Sequence, residues 1–267
     1  MNLEDWVVDI LVDPITKKKF TYEGKRDDQY LDMRVYLKNT HGWEAWQSGQ
    51  IEYEKFEEVD RGYDEYVSEI EDDKCIYQKI KIEGRVLDIG GGIGTVREFL
   101  PEDICFVSID PFANISQKIP QSKKRAYKCL ERHLNFIPAI AEFLPFKERS
   151  FDYVHMRSML DHVQVPDLAL IEANRVLVDG GYLIVGMLVD GGKNGWNIRS
   201  YLKHSAKEIM GFLGVKKYKD HHTWHPTYRN LTALIRSHSY EIIEEFWQPK
   251  WNDQVVYIKA RKNGPLI

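Results

Sequence analysis

From Arg85 onward the runs RVLDIG, CFVSID, LNFIPAIA, FDYVHM and YLIVGMLV are predominantly apolar, the last without interruption. That is the pattern of strands buried on both faces, and it differs from the strict alternation of a half-exposed strand. Between these runs, TVREFL and PDLALIEANRVLV carry apolar residues at helical intervals, and Gly180–Gly181 reads as a turn before the fifth run. Strands alternating with helices predict an α/β fold: an open parallel sheet with helices on both faces and right-handed crossovers. A helix at TALIRSH is followed by EIIEEFW and QVVYIKARK, with only the turn QPKWND between the two. So short a connection forces an antiparallel pair, because parallel strands need a long crossover.

The pattern before Arg85 is different. Residues 1–60 read as an N-terminal cap or lid: a short apolar segment from Trp6 to Val12, the turn DPIT, then an aromatic and charged stretch. Alternation in YLDMRVYL predicts a strand, and Trp43, Trp46, Tyr53 and Phe56 offer a small core or a cover. Residues 63–81 read as an amphipathic helix with Tyr66, Ile70 and Tyr77 on one side. Residues 61–267 form the main domain, with 191–226 as an insertion containing a helix, RSYLKHSAKEIMGFL, and the loop KDHHTWHPTYRN.

Composition narrows the class. The 267 residues are 43% hydrophobic and 12% aromatic, values of a globular chain. A net charge of −4 provides no field for nucleic acid, and the basic clusters Lys17–Lys19, Lys123–Arg125 and Lys216–Lys219 are short and separate. Cys75, Cys105 and Cys129 form no CxxC pair, so a reducing cytoplasm is expected. The acidic N-terminus does not read as a signal peptide, and no apolar run approaches the roughly 20 residues of a membrane span.

Candidate chemistry centres on VLDIGGGIGT. A glycine turn between strand and helix lets a ligand approach bare backbone. Gly90 and Gly92 match the first two positions of the dinucleotide fingerprint GxGxxG, but the third falls on Thr95. The pattern that fits throughout is Asp88-x-Gly90-x-Gly92-x-Gly94, with Gly91 between. It resembles motif I of the class I S-adenosylmethionine-dependent methyltransferases. Further along, AEFLPFKERSFDYVHMRSMLDHV and ALIEANRVLVDGGYLIV are similar to that family's ordered motifs, and the likeness covers residues 84 to about 187, a UbiE-like core.

The resemblance implies a Rossmann-like seven-stranded sheet with the last strand antiparallel, and S-adenosylmethionine as cofactor. It also implies a set of cofactor contacts. Asp88 would order the ligand's ammonium, and the glycines would pass under its amino-acid and ribose parts. Asp110, which ends the second strand, would accept from the ribose hydroxyls, although an Asp before Pro111 is also a common turn start. Relatives often carry an Asp where this chain has Ile140, so adenine would rest on backbone at Ala141 and Glu142 and on packing by Phe112. Met156 and Arg157 close the fourth strand, with Arg157 either facing the methionine carboxylate or paired with a nearby acid.

The acceptor side is read from histidines. His162 follows the fourth strand next to Asp161, as a base or as a brace for the loop. His221, His222 and His225 form a second group, with catalytic, acceptor-binding and purely structural readings all open. The HHxxH spacing suggests a metal only weakly, since no Glu completes HExxH and Pro226 interrupts a helix, so no metal is expected. ILVDPITKKKF resembles the start of the zinc-ribbon-like domain of Trm112-type proteins, with Asp13 in place of a cysteine and the other zinc cysteines absent. The expected reaction is O- or N-methylation of a small-molecule or sugar-containing acceptor, with a homodimer as the candidate assembly. The alternatives are a protein or RNA acceptor, or a non-catalytic S-adenosylmethionine-binding protein.

Overall fold

The computed structural model describes residues 3–20, 31–38, 43–113, 119–195, 222–249 and 253–264. The helix expected over 199–213, Asp220 and His221 lie outside the described residues, as does the Phe56 side chain. Seven strands form one sheet: β1 (Arg85–Ile89), β2 (Cys105–Asp110), β3 (Asn135–Pro138), β4 (Phe151–Arg157), β5 (Leu177–Leu188), β6 (Tyr240–Trp247) and β7 (Val255–Lys262). Their spatial order is β3-β2-β1-β4-β5-β7-β6. β1 through β5 pair parallel, and β7 runs antiparallel to both β5 and β6. This is the α/β, Rossmann-like seven-stranded sheet with an antiparallel last strand.

Strand alternation divides the core between two faces. Leu87, Ile89, Val107, Ile109, Leu183, Val185, Val256 and Ile258 point to one face. The intervening Val86, Phe106, Ile184 and Tyr257 point to the other. The first face is covered by α5 (Pro166–Val176), which follows the short α4 (Gln121–Ala126) along the chain, through Ala169, Leu170, Ala173 and Val176, and by the helix Tyr228–Ser237, through Leu231 and Ile235. The second face is covered by α3 (Tyr63–Tyr77), through Ile76 and Tyr77. Pro166 opens α5, where a missing N–H costs nothing, and Thr227 caps the later helix by accepting from Asn230 N at 3.2 Å.

Three local expectations change. TVREFL forms a short 3-10 turn, Thr95–Phe99, in place of an α-helix. Gly180–Gly181 lies within β5 as a bulge: from Leu177 to Tyr182 the strand advances while β4 moves only from Phe151 to Tyr153. YLDMRVYL makes no strand over its described residues, 31–37. β3, its neighbour, is the edge of the sheet, and among the described residues the one backbone bond between them is Met33 N to Pro138 O at 2.8 Å. Pro138 has no N–H to return, so a ladder cannot grow there. The apolar alternation instead reflects burial of Met33 in the main core.

The N-terminal residues join that core. α1 (Asp5–Ile10) contributes Val7 and Ile10, and Leu11 bridges Phe146. Lys17 reaches Glu172 on α5 at 2.6 Å, and Glu172 also accepts from Arg175 Nε at 2.7 Å and from Leu144 N at 2.9 Å. Arg175, the arginine of the RVL motif, donates in turn to the carbonyls of Leu144 and Phe146. Asp13 accepts from Thr16 N at 2.6 Å and from Ile15 N, closing the DPIT turn. α2 (Trp43–Glu57) lies outside the sheet, with Trp46, Gln50 and Tyr53 along one of its faces.

Candidate active site

The strand order reverses between β1 and β4, and at that point the carboxyl ends of β1, β2 and β4 open into a cleft of about 360 Å³. Ligands of open α/β sheets bind at such a switch point. The floor is the loop Gly90–Gly92, held on the end of β2 by Gly90 N and Gly91 N donating to Ile109 O at 2.9 and 3.3 Å. Gly90, Gly92 and Gly94 all have positive φ, between 53° and 68°, which side chains other than glycine rarely adopt.

Gly91 is required for a different reason. A Cβ there would lie 2.1 Å from Asp88 Oδ2 and 2.8 Å from Ser108 Oγ. Asp88 is fixed from below, since its Oδ1 is 2.7 Å from His155 Nδ1, and His155 Nε2 is 3.0 Å from the Tyr77 hydroxyl. All three side chains are buried. Burial pushes the Tyr77 phenol far above its ordinary pKa, so it stays protonated and can donate to Nε2, while a carboxylate accepts, which suits Nδ1–H facing Asp88. Asp88 is therefore anchored through a chain running from α3 across β4 to β1.

Asp110 faces the loop from β2. Its Oδ2 accepts from Gly92 N at 3.1 Å and its Oδ1 from Phe112 N at 3.0 Å, so one carboxylate ties both lips of the cleft. Pro111, Phe112 and Ala141 line the cleft beside it. Glu142 also lines it, but its Oε1 accepts from Gln164 N at 2.8 Å and Val165 N at 3.2 Å, ahead of α5. Burial raises the Glu142 carboxyl, and these amides offset only part of the rise.

Arg157 lines the cleft and forms an ion pair with Asp73 of α3, an acid that nothing in the sequence pattern singles out. Burial pushes the Asp73 carboxyl up, and the guanidinium opposes it incompletely. Met156 is fully buried in the core and does not line the cleft. Gly94 also lies outside the lining and forms the left-handed entry to the Thr95–Phe99 turn.

The two histidine groups meet. His162 lines the cleft, His222 stacks on it with ring centroids 4.6 Å apart, and His225 packs behind His222 at 5.3 Å. Asp161 reaches both, with separations of 3.7 Å to His162 Nε2 and to His222 Nε2. Tyr53 of α2 sets its ring edge-on to His162 at 4.3 Å. Trp46 and Gln50, from the same face of α2, complete the wall. Trp46 and Tyr53 belong to the aromatic stretch expected to form a small core or a cover, whereas His155 was visible beforehand only as a polar interruption in an apolar run.

Residues 87–185 match the methyltransferase-domain family. An uncharacterized protein of Methanocaldococcus jannaschii is 35% identical over 136 residues, 49% of this chain and 58% of that protein. The ubiquinone/menaquinone biosynthesis C-methyltransferase UbiE of Rhizobium rhizogenes is 34% identical over 103 residues, 38% of this chain and 40% of that enzyme. The matches thus span about half the length of these relatives. Among solved structures, a SAM-dependent methyltransferase of Thermotoga maritima, described as a possible histamine N-methyltransferase, is 24% identical. It superposes with a TM-score of 0.53 over 84% of this chain and all of its own. At that identity the likeness is one of fold.

Proposed function

This chain carries a class I S-adenosylmethionine-dependent methyltransferase domain, and we propose that it transfers the donor's methyl group to an oxygen or nitrogen of a small-molecule acceptor. The observation that carries this reading is that the glycine loop and the Asp161–His162–His222 cluster line or rim one cleft of about 360 Å³. The donor fits the residues present. The bare backbone of Gly90–Gly92 admits a close ligand, and the Asp110 carboxylate stands beside the loop as an acceptor for the ribose hydroxyls. Arg157, with one nitrogen given to Asp73, has further donors for the methionine carboxylate. Ala141 and Phe112 flank the place of the adenine. When bound, S-adenosylmethionine supplies an electrophilic methyl carbon on a sulfonium.

The chain's own task is alignment and proton removal. Trp46 and Tyr53 of α2 cover the cleft as a lid and exclude water, and holding the acceptor in line contributes several kcal/mol. His162 accepts the proton of an acceptor hydroxyl, or keeps an amine neutral, and Asp161 stabilises the imidazolium that forms. A net charge of −4 supports a small acceptor over a polynucleotide. A second reading, C-methylation of an aromatic ring, is favoured by the wall of Tyr36, Trp43 and Trp46 in the adjoining cleft and by the name of the Rhizobium relative.

Calorimetry with S-adenosylhomocysteine, followed by labelled methyl transfer to phenols, amines and quinols, tests the proposal. Binding with turnover of one acceptor class supports it. Absence of S-adenosylhomocysteine binding overturns it, and binding without turnover of any class indicates a non-catalytic binder. His162→Ala should lower kcat while leaving S-adenosylhomocysteine affinity nearly unchanged.

A further inference from the structure

Asp161 is buried in the loop after β4, and its Oδ1 has no hydrogen-bond partner among the described residues. An unpaired buried acceptor costs about 1–3 kcal/mol, so its retention calls for an explanation. The carboxylate presents one oxygen to each of two imidazoles: Oδ1 to His162 Nε2 and Oδ2 to His222 Nε2, both at 3.7 Å. That distance is too long for a hydrogen bond. It is also too short for a bridging water, which separates its partners by about 4.5 Å or more. A metal bonded to nitrogen and oxygen at about 2.0–2.2 Å draws tetrahedral donors to about 3.3 Å apart. One donor atom from each of the three residues lies within 4.8 Å of the others, so side-chain rotations that draw them in by up to about 1.5 Å would complete the set.

The donors are also held in place. Thr223, next to His222, donates its N–H to Asp161 O at 2.8 Å, and its hydroxyl donates to Asp161 O at 3.0 Å and to Val163 O at 2.5 Å. These bonds fasten the 222–225 segment to the loop after β4. The two rings stack at 26° with Tyr53 edge-on to both, which fixes their planes. Such bracing is what a preorganised ligand set needs.

We propose that Asp161, His162 and His222 bind a divalent first-row transition-metal ion of the zinc class at the rim of the cleft. Two imidazoles and one carboxylate suit zinc or cobalt better than magnesium or calcium, which prefer oxygen donors throughout. Three protein ligands leave a coordination position open, as in catalytic zinc sites. His162 lines the cleft, so an acceptor hydroxyl could take that position, where the ion would lower its pKa and its proton would pass to solvent water; in the metal-bound form His162 is a ligand and no longer the base. This consequence rests on the methyl-transfer reading, whereas the metal site itself does not. Among the described residues, the HHxxH run contributes His222 to the donor group, and His225 packs behind it.

The test is titration of tag-free, chelator-treated full-length protein with Co²⁺, read by its visible absorption, and with Zn²⁺ in competition. One-to-one binding is expected, weakened about 100-fold or more by His222→Ala and by Asp161→Asn, since even outer-shell partners are worth 10–100-fold. S-adenosylhomocysteine affinity, measured on the same samples without metal, should be unchanged in both variants. Failure to bind Co²⁺ or Zn²⁺, or equal binding by wild type and both variants, overturns the site. Either result leaves the methyl-transfer reading standing as long as S-adenosylhomocysteine still binds.

Discussion

Gly91→Ala is the sharpest perturbation of the cofactor loop. The added Cβ would lie 2.1 Å from Asp88 Oδ2 and 2.2 Å from its Cγ, where ordinary contact begins at 3.4 Å. The carboxylate or the loop must therefore shift by about 1.3 Å, the difference between 3.4 and 2.1 Å. Asp88 cannot yield freely, because a shift of that size breaks its 2.7 Å bond to His155. Overpacking of this kind costs about 1–3 kcal/mol. In a chain of this length that is a fall in Tm of about 2–12 °C. Calorimetry with S-adenosylhomocysteine should show weaker binding as well, since the displaced loop is the floor of the cleft. The mechanism also predicts non-additivity. Asp88→Ala breaks the same bond, so the double variant should be no less stable than the worse single one, within about 0.5 kcal/mol. A Gly91→Ala protein with wild-type Tm and wild-type affinity would refute the reasoning. Additive losses would show that the two residues act separately.

Three further outcomes follow from the same geometry. Asp110→Ala removes the acceptor for Gly92 N and Phe112 N, and should weaken S-adenosylhomocysteine by about 1.5–3 kcal/mol, roughly tenfold to 150-fold; unchanged affinity would take Asp110 out of the site. Arg157→Met leaves Asp73 buried and unpaired, at a cost of about 3–5 kcal/mol by denaturant unfolding, and adding Asp73→Asn should recover much of the loss. A double variant no more stable than Arg157→Met would mean that the pair is not the source. Burial pushes the Glu172 carboxyl up, but the hydrogen bonds from Arg175 and Lys17 prevail and leave it below the ordinary value of 4.5. A depressed folded-state pKa gives stability that is present above the unfolded value and lost as pH falls through the folded one. The Tm advantage of wild type over Glu172→Gln should therefore shrink as pH drops below about 4.5, and a constant difference would contradict the linkage.

What could be read from the chain alone follows from where the physics is local. β1, β2 and β4 were legible because strands buried on both faces are written as predominantly apolar runs, and the antiparallel end was legible because a short turn permits nothing else. YLDMRVYL misled because alternation records one-sided burial, here of Met33, whereas a strand also needs a neighbour able to return hydrogen bonds, and Pro138 cannot. The same division holds at the site. Asp88, Gly90–Gly92 and Asp110 lie close together along one strand–turn–strand unit, so their spacing carries their geometry. The pairing of Arg157 with Asp73 depends on how α3 packs across the sheet, and no spacing rule connects them. His162 and His222 read as two separate groups because the contact between them is made by Thr223 folding a distant loop onto Asp161. Motif spacing therefore reports the donor side of the cleft, which is built from neighbours in sequence. The acceptor side is assembled from α2, the loop after β4 and the 222–225 segment, and its chemistry becomes visible only when the three are brought together.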